Sequence, residues 1–285
     1  MRIVTLREMM ITAALLLYSV FGSGCAAITD RPAAKDLNLA LAGMDGSDTV
    51  SFEGASSLQL GGKPAKESAL YFGGNVADHN KVRLYTLLPD GSQPKAAAKS
   101  AAERTAAPAY HASLEKKDGE WTLLPQSVPT RENNPLPALN PIRQLEELER
   151  LEKKVTEEAG AAKGTRVLRI ELTNDEARSQ LSKELAQEMQ AIRPAASSSA
   201  GKTAGRTGKI SAALLSLWEQ KDRELQQKLK QVSVKAVYHL KVDTKSNLPK
   251  QLTWARTISY PATKGTLRTP ADETYLTQVN FYGYH

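Results

Sequence analysis

Cysteine is almost absent from this chain. There is one, Cys25, so no intramolecular disulfide and no multi-thiolate metal site can form. Long apolar runs are absent too: beyond the N-terminal segment nothing approaches the roughly 18 consecutive apolar residues of a membrane-spanning helix. Histidine is scarce. His79, His111, His239 and His285 are the only four, no two have metal-ligand spacing, and each reads as a solvated polar side chain. Blocks of one charge are missing as well. The 38 basic and 31 acidic residues, net +7, are interspersed rather than clustered, which argues against nucleic acid as a partner.

Catalytic signatures are equally sparse. Gly201-Lys202-Thr203 looks like the end of a phosphate loop, but Ala196 stands where the first glycine belongs and no strand precedes it. Ser92-x-x-Lys95 and Ser113-x-x-Lys116 share the spacing of a penicillin-binding nucleophile, yet no Ser-Asp-Asn or Lys-Thr-Gly accompanies them. No Gly-x-Ser-x-Gly elbow follows Cys25. The expectation is a protein that is not an enzyme and needs no cofactor.

What is present begins at the N-terminus. Arg2 and Arg7 precede an apolar run, Ile11 to Phe21, of signal-peptide length, then Ser23-Gly24-Cys25. Small residues before a cysteine are the pattern of a bacterial lipoprotein signal, although Gly22 stands where leucine is usual. This reading makes residues 1–24 a signal peptide, Cys25 the site of lipid attachment and residues 25–38 a tether. It places the protein on the extracytoplasmic face of a cell membrane. A diacylglyceryl group supplies two chains, and two hold where one holds only marginally. Ordinary secretion is the other reading: Cys25-Ala26-Ala27 also suits a conventional signal peptidase cutting after Ala27. Without residues 1–24 the charge is +6. That aids solubility, or draws the protein to an anionic surface.

Periodicity predicts the rest. A short helix spans Asp36 to Met44. Strands follow at Thr49–Leu60, with Val50, Phe52, Leu58 and Leu60 on one face, at Glu67–Val76, and at Lys81–Leu88 with Val82, Leu84 and Thr86 on one face. Lys117-Asp118-Gly119 turns a hairpin. Residues 93–108, Ala/Lys-rich, and 194–208, Ser/Gly-rich, read as flexible insertions, and the proline-rich 125–141 as extended linker. Asn140-Pro141 starts a helix whose polar face includes the charged run Glu146 to Lys154. A strand at Arg166–Leu172 leads into Thr173-x-x-Glu176, a capping box for another helix. A third amphipathic helix covers Ile210–Val232. Three closing strands present Tyr238, Leu240 and Val242; Leu252, Trp254 and Ile258; and Tyr275, Val279 and Phe281 on their inward faces. The fold class is α+β, an antiparallel meander, a helical middle and a second meander, in a single domain over 39–285.

That element order, with "TVSFEGASSLQL", "NPIRQLEELERL" and "VYHLKVDTKSNLP", resembles bacterial lipoproteins of the LolA/LppX-like fold, which also underlies periplasmic sensor domains of the MucB/RseB kind. The resemblance implies a curved antiparallel β-sheet, a half-barrel, covered by helices, with space between them for acyl chains. It implies a lipid or other amphiphile as ligand but carries over no ligand-contact residue; the inward-facing Phe52, Leu84, Tyr238, Leu240, Trp254 and Phe281 are the cavity candidates. The competing reading is a protein-interaction or sensor module that docks an envelope protein.

Overall fold

The computed structural model describes residues 32–65, 68–87, 110–124, 134–194, 204–261 and 271–285, with backbone alone for 204–210. Cys25, the signal segment and the insertion at 93–108 lie outside these residues.

The elements run in chain order: helix α1 (Ala33–Asp45), strands β1 (Val50–Leu60), β2 (Lys63–Pro64), β3 (Leu70–Ala77), β4 (Lys81–Leu87), β5 (His111–Lys117) and β6 (Glu120–Leu123). A 3₁₀ turn (Leu136–Leu139), helix α2 (Pro141–Arg150), strands β7 (Lys153–Glu157) and β8 (Thr165–Leu172), and helices α3 (Asn174–Ala191) and α4 (Ala204–Leu229) make the middle. Strands β9 (Ser233–Asp243), β10 (Pro249–Ser259) and β11 (Glu273–Tyr282) close the chain.

Among the described residues all strands join one antiparallel 11-stranded sheet, ordered β6-β5-β4-β3-β1-β11-β10-β9-β8-β7, with β2 paired to β1. The two meanders meet at a seam: β11 pairs with β1 from Ser51↔Tyr282 to Leu60↔Glu273. The backbone amides of Asp48 and Thr49 donate to the His285 carbonyl and tie the C-terminus to the start of β1. Local signals hold where they are chemical. Asn140 Oδ1 accepts from the amides of Ile142 and Arg143, and Thr173 Oγ1 accepts from the amide of Glu176. Asp118 (φ 52) and Gly119 (φ 82) turn the β5–β6 hairpin.

The sheet bends, and two glycines show where. Phe52 stands opposite Gly74 and Phe72 opposite Gly54 in the β1–β3 register. A Cβ on Gly74 would meet the Phe52 ring at 2.6 Å and the Arg83 carbonyl at 2.4 Å. One on Gly54 would meet the Phe72 ring at 2.9 Å and the Gln278 carbonyl at 2.6 Å. Each ring therefore lies over the glycine of the neighbouring strand, at the close backbone approach that a curved sheet needs. Phe52 also makes an edge-on contact with Phe281, centroids 6.4 Å apart. The fold is the α+β curved antiparallel sheet with helices packed on its inner face.

Several boundaries differ from expectation. Residues 33–38 are not tether: they form the first turns of α1, where Leu37 is buried and Asp36 pairs with Arg166 of β8. The second strand starts at Leu70 rather than Glu67. Part of the proline-rich stretch is the 3₁₀ turn, whose Leu136 is fully buried. Helix α2 stops at Arg150 because Leu151 turns extended (ψ 147), and Lys153 and Lys154 enter β7 instead. Helix α4 already includes 204–208.

Candidate functional site

Inward-facing residues form rows across the strands, because antiparallel pairing sets like faces opposite one another. One row runs Phe72, Gly54, Val279, Leu252, Leu240. The next runs Leu70, Ser56, Thr277, Trp254, Tyr238, and the one beyond it Leu58, Tyr275, Arg256, Ala236. The first row is sealed core. Over the centre of the second and third lies a cavity of about 900 Å³, walled by Leu181, Glu184, Leu185 and Glu188 of α3 and by Gln144 of α2. Strands β4 and β10, four places apart in the order and so about 19 Å apart along a flat sheet, both contribute lining residues. The bend of the sheet brings them to one space.

The floor is small and mostly apolar. Thr277 Oγ1 donates to Ser56 Oγ (2.9 Å), so these two hydroxyls satisfy each other. Trp254, Ile258, Leu70, Leu181 and Leu185 supply apolar wall. The cavity reaches solvent beside Tyr275, a lining residue that is well exposed.

One ion pair stands in the wall. The guanidinium of Arg256 donates to both Glu184 oxygens, at 2.5 and 3.0 Å, a bidentate geometry. Burial works against the Arg256 charge, but the hydrogen bonds and charge of Glu184 outweigh it and raise the pKa. Two of the lining residues also carry a buried polar atom that has no hydrogen-bond partner among the described residues and does not open to the chamber: Arg256 Nε, a donor, and Gln144 Oε1, an acceptor. At the rim, partial desolvation and the neighbouring Glu184 raise the pKa of Glu188. Tyr260 is pushed up to about 12 by burial and by Glu273. The site is thus an apolar chamber with a few polar groups on one wall and carboxylates at the mouth. That equipment suits binding an amphiphile; among the described residues no group of His, Cys, Asp and Glu could hold a metal.

Of the six cavity candidates, Trp254 lines this space. Phe52, Leu84, Tyr238, Leu240 and Phe281 are packed into the core. They face the predicted way, but they stand where helices and neighbouring strands leave no room above them. Tyr238 instead donates to Gln180 Oε1 (3.4 Å), and Gln180 donates to Glu147 (2.9 Å). Tyr275, expected inward as core, is at the mouth. Arg256, Ser56, Thr277 and the α3 wall were not singled out by pattern. Arg256 does carry a sequence signal, a charge at an inward position between Trp254 and Ile258.

Ser92, Lys95, Ala196 and Gly201-Lys202-Thr203 lie outside the described residues; the other motif residues named below have structural partners. Ser113 and Lys116 point to opposite faces of β5, and Lys116 pairs with Glu146 (3.0 Å). Trp121 Nε1 also donates to Glu146 (2.9 Å), so this member of the charged run ties α2 to the β5–β6 hairpin. His79 pairs with Asp48 (2.6 Å) and His239 with Glu158 (3.1 Å). Among the described residues no helix is long and apolar enough to cross a membrane.

No family model matches the chain, and no curated protein matches it. Solved structures do. Lipovitellin, in a structure titled for its lipid-protein interactions, is 8% identical with a TM-score of 0.35; the match covers 83% of this chain, which spans 25% of that one. A LolA superfamily protein from Nitrosomonas europaea is 8% identical, with 89% of this chain and 93% of that one covered and a TM-score of 0.25. A DUF1329 family protein from Desulfovibrio piger is 10% identical, with 90% and 93% covered and a TM-score of 0.20.

Proposed function

We propose that this chain is a binding protein, not an enzyme, that takes the apolar chain of a lipid or another amphiphile into the sheet–helix cavity. We further propose that a diacylglyceryl group on Cys25 holds it at the extracytoplasmic face of a cell membrane. The observation that carries the binding reading is the cavity itself. At about 900 Å³ it lies in the upper part of the roughly 300–1,000 Å³ range of small-molecule sites, and its lining is dominated by leucine, isoleucine and aromatic side chains.

Native mass spectrometry of protein extracted from its own cells should show a co-purifying amphiphile. Delipidated protein should take up a fluorescent fatty acid and lose it to competing unlabelled lipid. An empty cavity together with no uptake rejects the carrier reading and moves weight to an interaction or sensor module, which crosslinking and pull-down from membranes would then identify. The anchor is tested separately by the mass of the mature N-terminus: a lipidated Cys25 supports it, and a free Ile28 removes both the lipid and the only cysteine.

A further inference from the structure

We propose that the outer face of the sheet, where the two meanders join, binds a neutral glycan chain. This face points away from the chamber, so the proposal goes beyond the binding reading and does not depend on it.

Antiparallel pairing sets outward positions in rows as it does inward ones. One outward row runs Tyr85, Gly73, Glu53, Asn280, Gln251 across β4, β3, β1, β11 and β10. Four strand spacings make it about 19 Å long on a flat sheet. Two aromatic rings stand on it. A Cβ on Gly73 would meet the Tyr85 phenol at 3.1 to 3.2 Å. The phenol therefore lies across Gly73 instead of standing out from its strand, and Tyr85 is still 36% exposed. From the other side Tyr282 donates its hydroxyl to Glu53 (3.0 Å) and is 45% exposed. The Tyr85 phenol is near enough to be one of the causes, after burial and Glu53, that raise the Tyr282 pKa. On the inner face a ring over a glycine seals the core. On the outer face the same device leaves a flat aromatic surface in water.

The charge pattern says what kind of molecule fits. The chain is 24% charged, yet the outward positions of β3, β1, β11 and β10 from Gln251 onward carry a single charge, Glu53. The other charges stand at the borders, with Arg83 on β4 and Lys235 and Lys241 on β9. Such a face offers nothing to a phosphate, a nucleic acid or an anionic headgroup. It offers little to a protein either. Apart from tyrosines its large apolar side chain is Leu276, which is half-buried, whereas the centre of a protein interface is apolar.

A sugar ring has the complementary chemistry. Its C–H faces are apolar and stack on an aromatic ring, and its edge carries hydroxyls that both donate and accept. Asn and Gln present a donor and an acceptor on one side chain. Gln251 Nε2 donates to Asn280 Oδ1 (2.8 Å). That bond holds the two amides side by side and leaves Gln251 Oε1 and the Asn280 amide N–H groups for hydroxyls. Rigid tyrosines among small polar neighbours give contact area at low entropy cost.

The full chain is titrated with hexamers of glucose, mannose and N-acetylglucosamine, and with hexagalacturonate as a charged chain. Binding is read by saturation-transfer NMR and calorimetry. At least one neutral hexamer should bind, and more tightly than its dimer, because the longer chain covers more of the row; hexagalacturonate should not bind. Tyr85→Leu with Tyr282→Leu keeps apolar bulk but removes the flat rings, and should weaken binding at least about tenfold. Tyr85→Phe with Tyr282→Phe should retain most of it. Neither tyrosine lines the chamber, so thermal unfolding and fatty-acid uptake should match the parent chain in both variants. A lost fold or a failed carrier reading would show there and not in the sugar titration. No binding by any neutral hexamer, equal binding of hexagalacturonate, or binding that survives the leucine variant overturns the proposal. A protein partner captured at this face and lost in the leucine variant, with no sugar bound, overturns it as well.

Discussion

Along β11 the inward residues are Phe281, Val279, Thr277 and Tyr275, and their exposure runs 6%, 0%, 2% and 44%. One strand, with one alternation, serves a sealed core at its end and an open chamber at its beginning. The sealed half is filled by rings that lie over glycines, Phe52 on Gly74 and Phe72 on Gly54. The open half has Ser56 and Thr277 at the centre of its floor and bulk only around them. Helix α3 approaches over Trp254 and Arg256 and leaves the space above the two hydroxyls unfilled. Facing inward is therefore one property and being packed is another, and the second depends on what stands above.

The sharpest test of this contrast is removal of a ring from each half. Phe52→Ala should cost about 3–5 kcal/mol in denaturant unfolding while the protein that stays folded still takes up ligand. Tyr275→Ala should cost under about 1 kcal/mol, as for an exposed position, and weaken uptake. Equal costs would erase the distinction.

Next in size is the ion pair of the wall. Glu184→Leu leaves Arg256 charged without its carboxylate and should lower unfolding free energy by about 3 kcal/mol. The double change Glu184→Leu with Arg256→Met should recover most of that. A double variant as unstable as the single one would show that the pair is needed for the fold rather than placed there for the ligand.

Filling the chamber should change binding more than folding. Ser56→Phe puts a ring above Thr277 and should weaken fatty-acid uptake at least about tenfold, equivalent to about 1.4 kcal/mol, with a smaller change in unfolding midpoint. Unchanged uptake would place the ligand elsewhere.

The smallest effect is expected from pH. Desolvation and Glu184 raise the pKa of Glu188 above the ordinary glutamate value of 4.5. The folded state then holds a proton that the unfolded state has released, so stability falls as pH rises from the ordinary carboxylate range through the raised value. Glu188→Gln should flatten that slope in pH-dependent melting curves. An identical slope would show that Glu188 does not feel its neighbour at the exposed rim.

Much of the fold was legible because its signals are local. Asn140 and Thr173 cap helices with their own side chains, and the Asp118-Gly119 turn is set by backbone preference. The closing strands read correctly because Leu240, Leu252 and Val279 alternate with polar residues at period 2. Other features have no local signature. Strand β7 follows a helix whose charged run gives no reason to stop at Arg150. The 3₁₀ turn holds Leu136 in the core from within a proline-rich stretch, where composition suggests extended chain. The β1–β11 seam joins residues more than 200 positions apart, as in the bond from Thr277 to Ser56.

The amino-acid sequence by itself determined which residues face inward, where the capped helices α2 and α3 begin, and the sparseness of metal and nucleophile chemistry, because side-chain alternation, capping and ligand spacing act over a few residues. Only the tertiary structure decided that the meanders form one sheet, that Phe52 and Tyr238 are core while Trp254 borders a chamber, and that Arg256 finds Glu184 across 72 positions. Those outcomes depend on how far a curved sheet and a crossing helix stand apart, a distance set by the packing of many residues together.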